Sequence, residues 1–71
     1  MAESVYKIIE LVGTSSESWE KAAAAALNEA SKTVRDLRVA EISAFDIALE
    51  DGNVKTYRVK IKASFKIESE R

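Results

Sequence analysis

The feature that most constrains the fold of this chain is a tight-turn signal with one run of interspersed apolar and polar residues on each side of it. The signal is Asp51-Gly52-Asn53, because Asp-Gly is a favoured sequence for the short loop of a β-hairpin. The run from Val54 to Ile67 alternates cleanly between apolar and polar residues. Its apolar face comprises Tyr57, Val59, Ile61, Ala63, Phe65 and Ile67. With a preceding strand over Arg38–Glu50, this pattern predicts a long antiparallel hairpin with one apolar face.

The preceding run does not alternate strictly along its whole length. By strict counting its apolar residues form two sets on opposite faces: Ala40, Ile42 and Ala44, then Phe45, Ile47 and Leu49. A β-bulge inserts one extra residue into a strand and so reverses the face on which the later side chains lie. We therefore predict a bulge near Ala44–Phe45 that turns both sets toward the core.

The first half of the chain predicts a strand followed by a helix. Val5–Val12 is rich in residues that favour strands, and Gly13–Ser16 follows it as a predicted turn. Ser15 or Ser16 is expected to cap the helix, which then runs to about Arg35. The helix has an apolar stripe with the i, i+3, i+4 spacing of an amphipathic helix. The stripe comprises Trp19, Ala22, Ala23, Ala26, Leu27, Ala30 and Val34.

The predicted fold is α+β in the order β-α-β-β, a three-stranded antiparallel sheet over one helix, in a single domain over residues 1–71. A domain of this size buries only about 60% of the surface that its unfolded chain exposes. Small domains are usually reinforced by disulfides, a metal or association. The sequence has no Cys and no His, which excludes disulfides and a structural zinc site. Since edge strands also invite pairing with another chain, we expect a homo-oligomer.

Composition disfavours several classes of function. Without His and Cys the chain lacks the commonest general base and the most reactive nucleophile, so we do not expect an enzyme. With 11 basic and 12 acidic residues, the net charge of −1 does not suggest a nucleic-acid partner. We expect no signal peptide, and the sequence has no apolar run long enough to span a bilayer. We therefore expect a cytoplasmic protein without a membrane partner.

Basic residues line the polar face of the last predicted strand and its start: Lys55, Arg58, Lys60, Lys62 and Lys66. Such a stripe is able to bind phosphate. We favour a solvated face, or pairing with Glu41 and other acids across the sheet or a subunit boundary. Trp19 opens the helical stripe, and we expect it in the core rather than stacked on a ligand.

Three segments together resemble the dodecins: the opening VYKIIELVGTSSESWEKAAAAAL, the segment LRVAEI and the ending TYRVKIKASFKI. The similarity covers residues 4–67. It implies a sheet that wraps around the helix, and a hollow dodecamer built from trimers. It also implies a protein that binds and stores flavin, as riboflavin or FMN, and that is not a catalyst.

Two positions depart from the flavin-binding members of that family. Those members have a Trp that stacks on the flavin ring where this sequence has Val39, and a Gln that contacts the ring's polar edge where it has Arg58. Stacking on an indole contributes about 1 kcal/mol beyond area burial, and Val has no π surface. Arg58 offers donors only and cannot replace the amide's donor and acceptor. These residues and Glu41 form the predicted ligand site, and we expect its affinity for flavin to be weakened.

Three hypotheses about the ligand remain open. The first is flavin, bound with reduced affinity. The second is an ion: calcium or another metal at the acidic residues, or an anion at the basic stripe from Arg58 to Lys62. Dodecin-like members that lack the stacking Trp have been linked to calcium, which takes several oxygen ligands. The candidate metal ligands are Asp46 and Glu50, together with Glu41 and Asp51. The third hypothesis is a structural oligomer without a ligand.

Overall fold

The sheet is organised around its last strand. The structure, a computed structural model, describes residues 3–67. Its elements are β1 (Tyr6–Ser15), α1 (Trp19–Ala30), β2 (Leu37–Glu50) and β3 (Asn53–Lys66). The strand order is β1-β3-β2, and β3 is antiparallel to both neighbours. The predicted β-α-β-β fold, with one helix and a three-stranded antiparallel sheet, is therefore confirmed.

A two-residue turn joins β2 to β3. Its central residues, Asp51 and Gly52, have φ values of 54° and 78°, and Glu50 pairs with Asn53 across the loop. Positive φ at both central positions is the geometry that matches the right-handed twist of the flanking strands. The predicted turn is confirmed, except that Asn53 already belongs to β3.

A bulge in β2 brings its apolar residues to one side. The register against β3 shifts between Ile42 and Ala44, which leaves Ser43 as the extra residue. Ile42 and Phe45 therefore both lie on the side of the sheet that faces the helix, as predicted. The bulge begins earlier than predicted, so Ala44 pairs with Lys60 and its side chain lies on the opposite face.

The core lies between α1 and the β1–β3 pair. It is small, and its buried apolar residues are Ala22, Ala30, Val59, Ile61 and Ala63. The alanines of α1 present a thin face that allows the helix to approach the sheet closely. At the closest point, a Cβ added to Gly13 would lie 2.1 Å from the carbonyl oxygen of Ala22. Only glycine fits this position, which explains why Gly13 lies inside a strand.

The connection from β1 to α1 differs from the prediction. The predicted turn over Gly13–Ser16 is wrong for its first part, because β1 continues to Ser15. The helix is capped by Ser18, whose hydroxyl accepts from the backbone N–H of Lys21 at 3.0 Å. The hydroxyl of Ser15 accepts from the N–H of Glu17 at 2.9 Å and so stabilises the turn that precedes the cap.

The helix is shorter than predicted. It ends at Ala30 rather than near Arg35, with Ser31 as its C-cap, and a short turn leads toward β2. Asp36 then takes a left-handed conformation, with φ of 61°, immediately before the strand begins. The part of the chain that the structure describes has no helix long and apolar enough to span a membrane.

The subunit is long and thin, and it exposes much apolar surface. Its Cα atoms extend over 56 × 20 × 13 Å with a radius of gyration of 15.0 Å, whereas a compact domain of this length has about 11 Å. The accessible surface is 5440 Å², against about 4,400 Å² for a monomer of this mass. The exposed large apolar residues are Val5, Tyr6, Ile8, Val12, Val39, Ile42, Phe45, Ile47, Leu49, Val54 and Ile67.

Candidate ligand site

The predicted ligand-binding residues all lie on the face of the sheet away from the helix, here called the outer face. Val39 pairs with Ser64 and Glu41 pairs with Lys62, and Arg58 is an even number of residues from both partners along β3. Because side chains alternate between the two faces along a strand, Val39, Glu41 and Arg58 share the outer face.

Sharing a face does not make these residues neighbours. Ser64, the partner of Val39, lies six residues along β3 from Arg58, which corresponds to about 20 Å at the rise of a β-strand. Glu41 lies between them. A small ligand bound to one subunit therefore cannot contact both Val39 and Arg58, and a site that uses both needs residues from more than one copy.

Val39 lies beside an open depression at the end of the helix. The residue is 63% exposed, and its carbonyl oxygen accepts a hydrogen bond from the hydroxyl of Ser64 at 3.3 Å. The depression has a volume of about 300 Å³ and is lined by Leu27, Asn28, Ser31, Leu37, Arg38, Val39, Ala40 and Ala63. None of these lining residues is aromatic. Leu27, Leu37 and Ala63 belong to the core side of the sheet, so the depression opens beside the helix and not on the outer face that carries the Val39 side chain.

Arg58 is held by an acid on the neighbouring strand. Asp46 lies directly opposite it in β2, and the Nε of Arg58 donates to Oδ1 of Asp46 at 2.7 Å. The two side chains are 40% and 43% exposed, so the ion pair is half-buried on the outer face. From the sequence, Arg58 is predicted to contact a ligand and Asp46 to bind a metal, whereas the contact between the two residues is not predicted.

The helix fixes the backbone at this ion pair from the other side of the sheet. The Nε1 of Trp19 donates to the main-chain oxygen of Asp46 at 3.3 Å. The indole packs edge-on against Phe45 and Tyr57, with centroid separations of 5.5 and 5.1 Å. Trp19 thus packs against the core, as predicted.

The remaining acids of the predicted site lie opposite basic residues. Glu41 lies across from Lys62, which also faces Glu10 on β1. Glu50 forms an ion pair with Lys55 at 3.2 Å. Within residues 3–67 no three His, Cys, Asp or Glu side chains lie close enough together to hold a metal ion. The candidate ligands Asp46 and Glu50 are therefore not brought together into a metal centre within one subunit.

The fold places this chain among small β-α-β-β proteins in which one helix packs on a three-stranded antiparallel sheet. Comparison with known proteins narrows this class to one family. The family model described as Dodecin matches residues 5–68. This match spans most of the sequence, and the chain belongs to the dodecin family.

Individual relatives cover almost the whole chain. The calcium dodecin of Mycobacterium tuberculosis is 47% identical over 64 residues, which are 90% of each chain. A solved structure of that protein, described as a calcium-chelating antigen with a novel calcium-binding site, has a TM-score of 0.82 at 44% identity and covers 96% of this chain and 97% of its own. The Thermus thermophilus dodecin is 42% identical over 90% of this chain and 93% of its own. The Streptomyces coelicolor dodecin structure has a TM-score of 0.90 at 33% identity, covering 99% and 100%.

Proposed function

We propose that this protein assembles with copies of itself, as a dodecamer of trimers, and binds and stores a small ligand at sites shared between the copies. One observation carries the proposal: Val39 and Arg58 share the outer face but lie about 20 Å apart within a subunit. Residues of two copies are needed to complete a site that contains both. Binding rather than catalysis is proposed, because the sequence has no His and no Cys.

The large accessible surface of the subunit is a second observation that supports assembly. The subunit exposes about 1,000 Å² more than a folded monomer of its mass. A stable protein–protein interface of standard size buries about 800 Å² on each partner, so the excess is enough for one such interface. Light scattering measures the assembly directly. We expect twelve times the 7.8 kDa subunit mass, and a particle of one subunit mass would contradict the proposal.

Flavin is the proposed ligand, bound with reduced affinity because Val39 offers no aromatic plane. Titration of the protein into riboflavin, followed by flavin fluorescence, measures the affinity. We expect Val39→Trp to lower the dissociation constant about fivefold or more, since aromatic stacking contributes about 1 kcal/mol beyond area burial.

Val54→Trp is the matched control for this titration. Val54 is exposed to a similar degree, at 52% against 63% for Val39, but lies near the hairpin turn. We expect it to leave riboflavin affinity unchanged. If neither the parent protein nor Val39→Trp quenches flavin fluorescence, flavin is not the ligand.

Calcium is the second proposed ligand, favoured by the relative named calcium dodecin. Calcium takes six to eight oxygen ligands, typically from carboxylates, carbonyls and water. Since Asp46, Glu50 and Glu41 do not converge within one subunit, a calcium site made from them needs carboxylates of several copies. Calorimetry with calcium and with magnesium, together with metal analysis of the purified protein, tests this proposal. The absence of heat in both titrations and of bound metal would exclude it.

A further inference from the structure

The guanidinium of Arg58 is already occupied by an acid of its own subunit. The 2.7 Å contact between its Nε and Oδ1 of Asp46 joins residues that face each other on adjacent strands. Arginine otherwise offers a planar set of donors that matches phosphate and carboxylate. Asp46 occupies one of these donors and neutralises the charge that an incoming anion would meet.

The carboxylate of Asp46 is held in place rather than free on the surface. Its main-chain oxygen accepts from the Nε1 of Trp19 at 3.3 Å, and Trp19 is fixed edge-on between Phe45 and Tyr57. The backbone at Asp46 is therefore positioned from the helix side, while its side chain lies on the outer face. A carboxylate on a fixed backbone remains aligned with the opposing arginine.

The charges around Arg58 would favour an anion if Asp46 were absent. Arg58 and Lys60 lie on the same face of β3, about 7 Å apart along the strand. Thr14 of β1 flanks Arg58, and Val12 and Ala44 flank Lys60, so Asp46 is the one acid paired with either cation in the described sheet. Removing its charge would leave two adjacent cations without an opposing acid in these two rows.

We propose that Asp46 determines ligand specificity at this face by holding Arg58 and excluding ligands that carry phosphate. This inference rests on the geometry of the ion pair and does not depend on flavin binding. Asp46 acts through Arg58 and is a positioning residue.

The test measures the binding of inorganic pyrophosphate by calorimetry on the assembled protein. In Asp46→Asn we expect pyrophosphate to bind about tenfold more tightly than in the parent, the usual strength of one charge-assisted hydrogen bond. The gain should shrink as the salt concentration is raised, because it comes from a partly exposed cation. A purely structural role of Asp46 would not raise the affinity for an anion.

Two further variants separate the local ion pair from net charge. Glu29→Gln changes the charge by the same amount and breaks a different ion pair, with Lys32, and it should leave pyrophosphate binding unchanged. Adding Arg58→Gln to Asp46→Asn should abolish the gain. An equal gain in Glu29→Gln, or no gain in Asp46→Asn that keeps its native mass and Trp19 fluorescence, would overturn the inference.

The proposed function and this inference fail in different ways. If riboflavin binds neither the parent nor Val39→Trp, the flavin proposal fails. The pyrophosphate comparison between the parent and Asp46→Asn still decides the role of Asp46, since it needs no flavin.

Discussion

The two strands of the hairpin carry similar apolar residues toward the helix, yet only one of them is buried. On β3, Val59 and Ile61 are 0% and 1% exposed, whereas on β2 Phe45 and Ile47 are 61% and 39% exposed. The cause is the position of the helix, which packs on β1 and β3 and reaches β2 chiefly through Trp19. Gly13 in β1 allows this placement, because it lets the helix backbone approach to contact.

This difference distinguishes apolar residues that stabilise the folded subunit from apolar residues that become buried only when a partner binds. The apolar face of β3 contributes to folding within one chain. The equivalent face of β2 has no cover of comparable extent among the described residues, and burying it would add a stabilising term only on association. Under the proposed function, β3 residues set the stability of the subunit, and β2 residues set the stability of the assembly.

The largest expected effect tests the buried strand. Ile61→Ala removes a side chain that is almost fully buried at the centre of the sheet, and it should lower the free energy of unfolding by about 2–5 kcal/mol. Urea unfolding followed by Trp19 fluorescence measures the change. The matched control is Ile67→Ala, because Ile67 is 46% exposed at the end of the hairpin. An equal loss in the two variants would contradict the assignment of the core to β3.

The next effect tests the exposed strand. Phe45→Ala should weaken assembly by about 1.5–3 kcal/mol per subunit, the value of burying one large apolar side chain. Because the lost contact is between copies, the fall in melting temperature should grow as the protein is diluted, and smaller species should appear in light scattering. Phe45→Leu, which keeps the apolar bulk, should retain most of the assembly. A fall in melting temperature that is independent of concentration would show that Phe45 acts within the subunit.

A third variant tests why the helix covers β1 and β3. The Cβ of Gly13→Ala would lie 2.1 Å from the Ala22 carbonyl oxygen, so the backbone of the helix has to move. Overpacking of this kind costs about 1–3 kcal/mol, and the shift should alter Trp19 fluorescence. At Gly52 an added Cβ meets nothing within 4 Å, but φ is +78°. Gly52→Ala should therefore destabilise through backbone strain alone, without changing the Trp19 signal.

The hairpin is predictable from the sequence, and the connection between β1 and α1 is not. The alternation of apolar and polar residues in β3 and the Asp51-Gly52 turn signal both depend on local chemistry, and the hairpin that they predict is confirmed. Gly13 is predicted in a turn but lies in β1. Glycine is favoured both where a chain turns and where two backbones approach closely. The contact with the helix shows that the second reason applies at Gly13. The end of the helix was also misjudged, since the turn after Ala30 contains neither Pro nor Gly.

The ion pair between Arg58 and Asp46 is not predicted by counting residues from the turn. Strict pairing outward from the Asp51-Gly52 turn puts Asp46 opposite Tyr57. A second register shift, between Ala48 and Leu49, moves Asp46 opposite Arg58 instead. The bulge at Ser43 is signalled by a break in the apolar alternation of β2, but this second shift is not predicted. The shared face of Val39, Glu41 and Arg58, in contrast, follows from alternation alone, because the two shifts cancel over β2 as a whole.

The smallest expected effect concerns the cap of the helix that covers β3. Ser18→Ala removes the hydroxyl that accepts from the N–H of Lys21, and it should destabilise the subunit by about 1 kcal/mol, the usual value of an N-cap. Ser16→Ala is the control, because the structure gives the Ser16 hydroxyl no hydrogen bond among the described residues, although Ser16 was one of the two predicted caps. Thermal unfolding at one protein concentration measures both. Since the cap lies within one chain, its loss should not depend on dilution, unlike that of Phe45→Ala. A larger effect at Ser16 than at Ser18 would move the start of the helix back toward its predicted position.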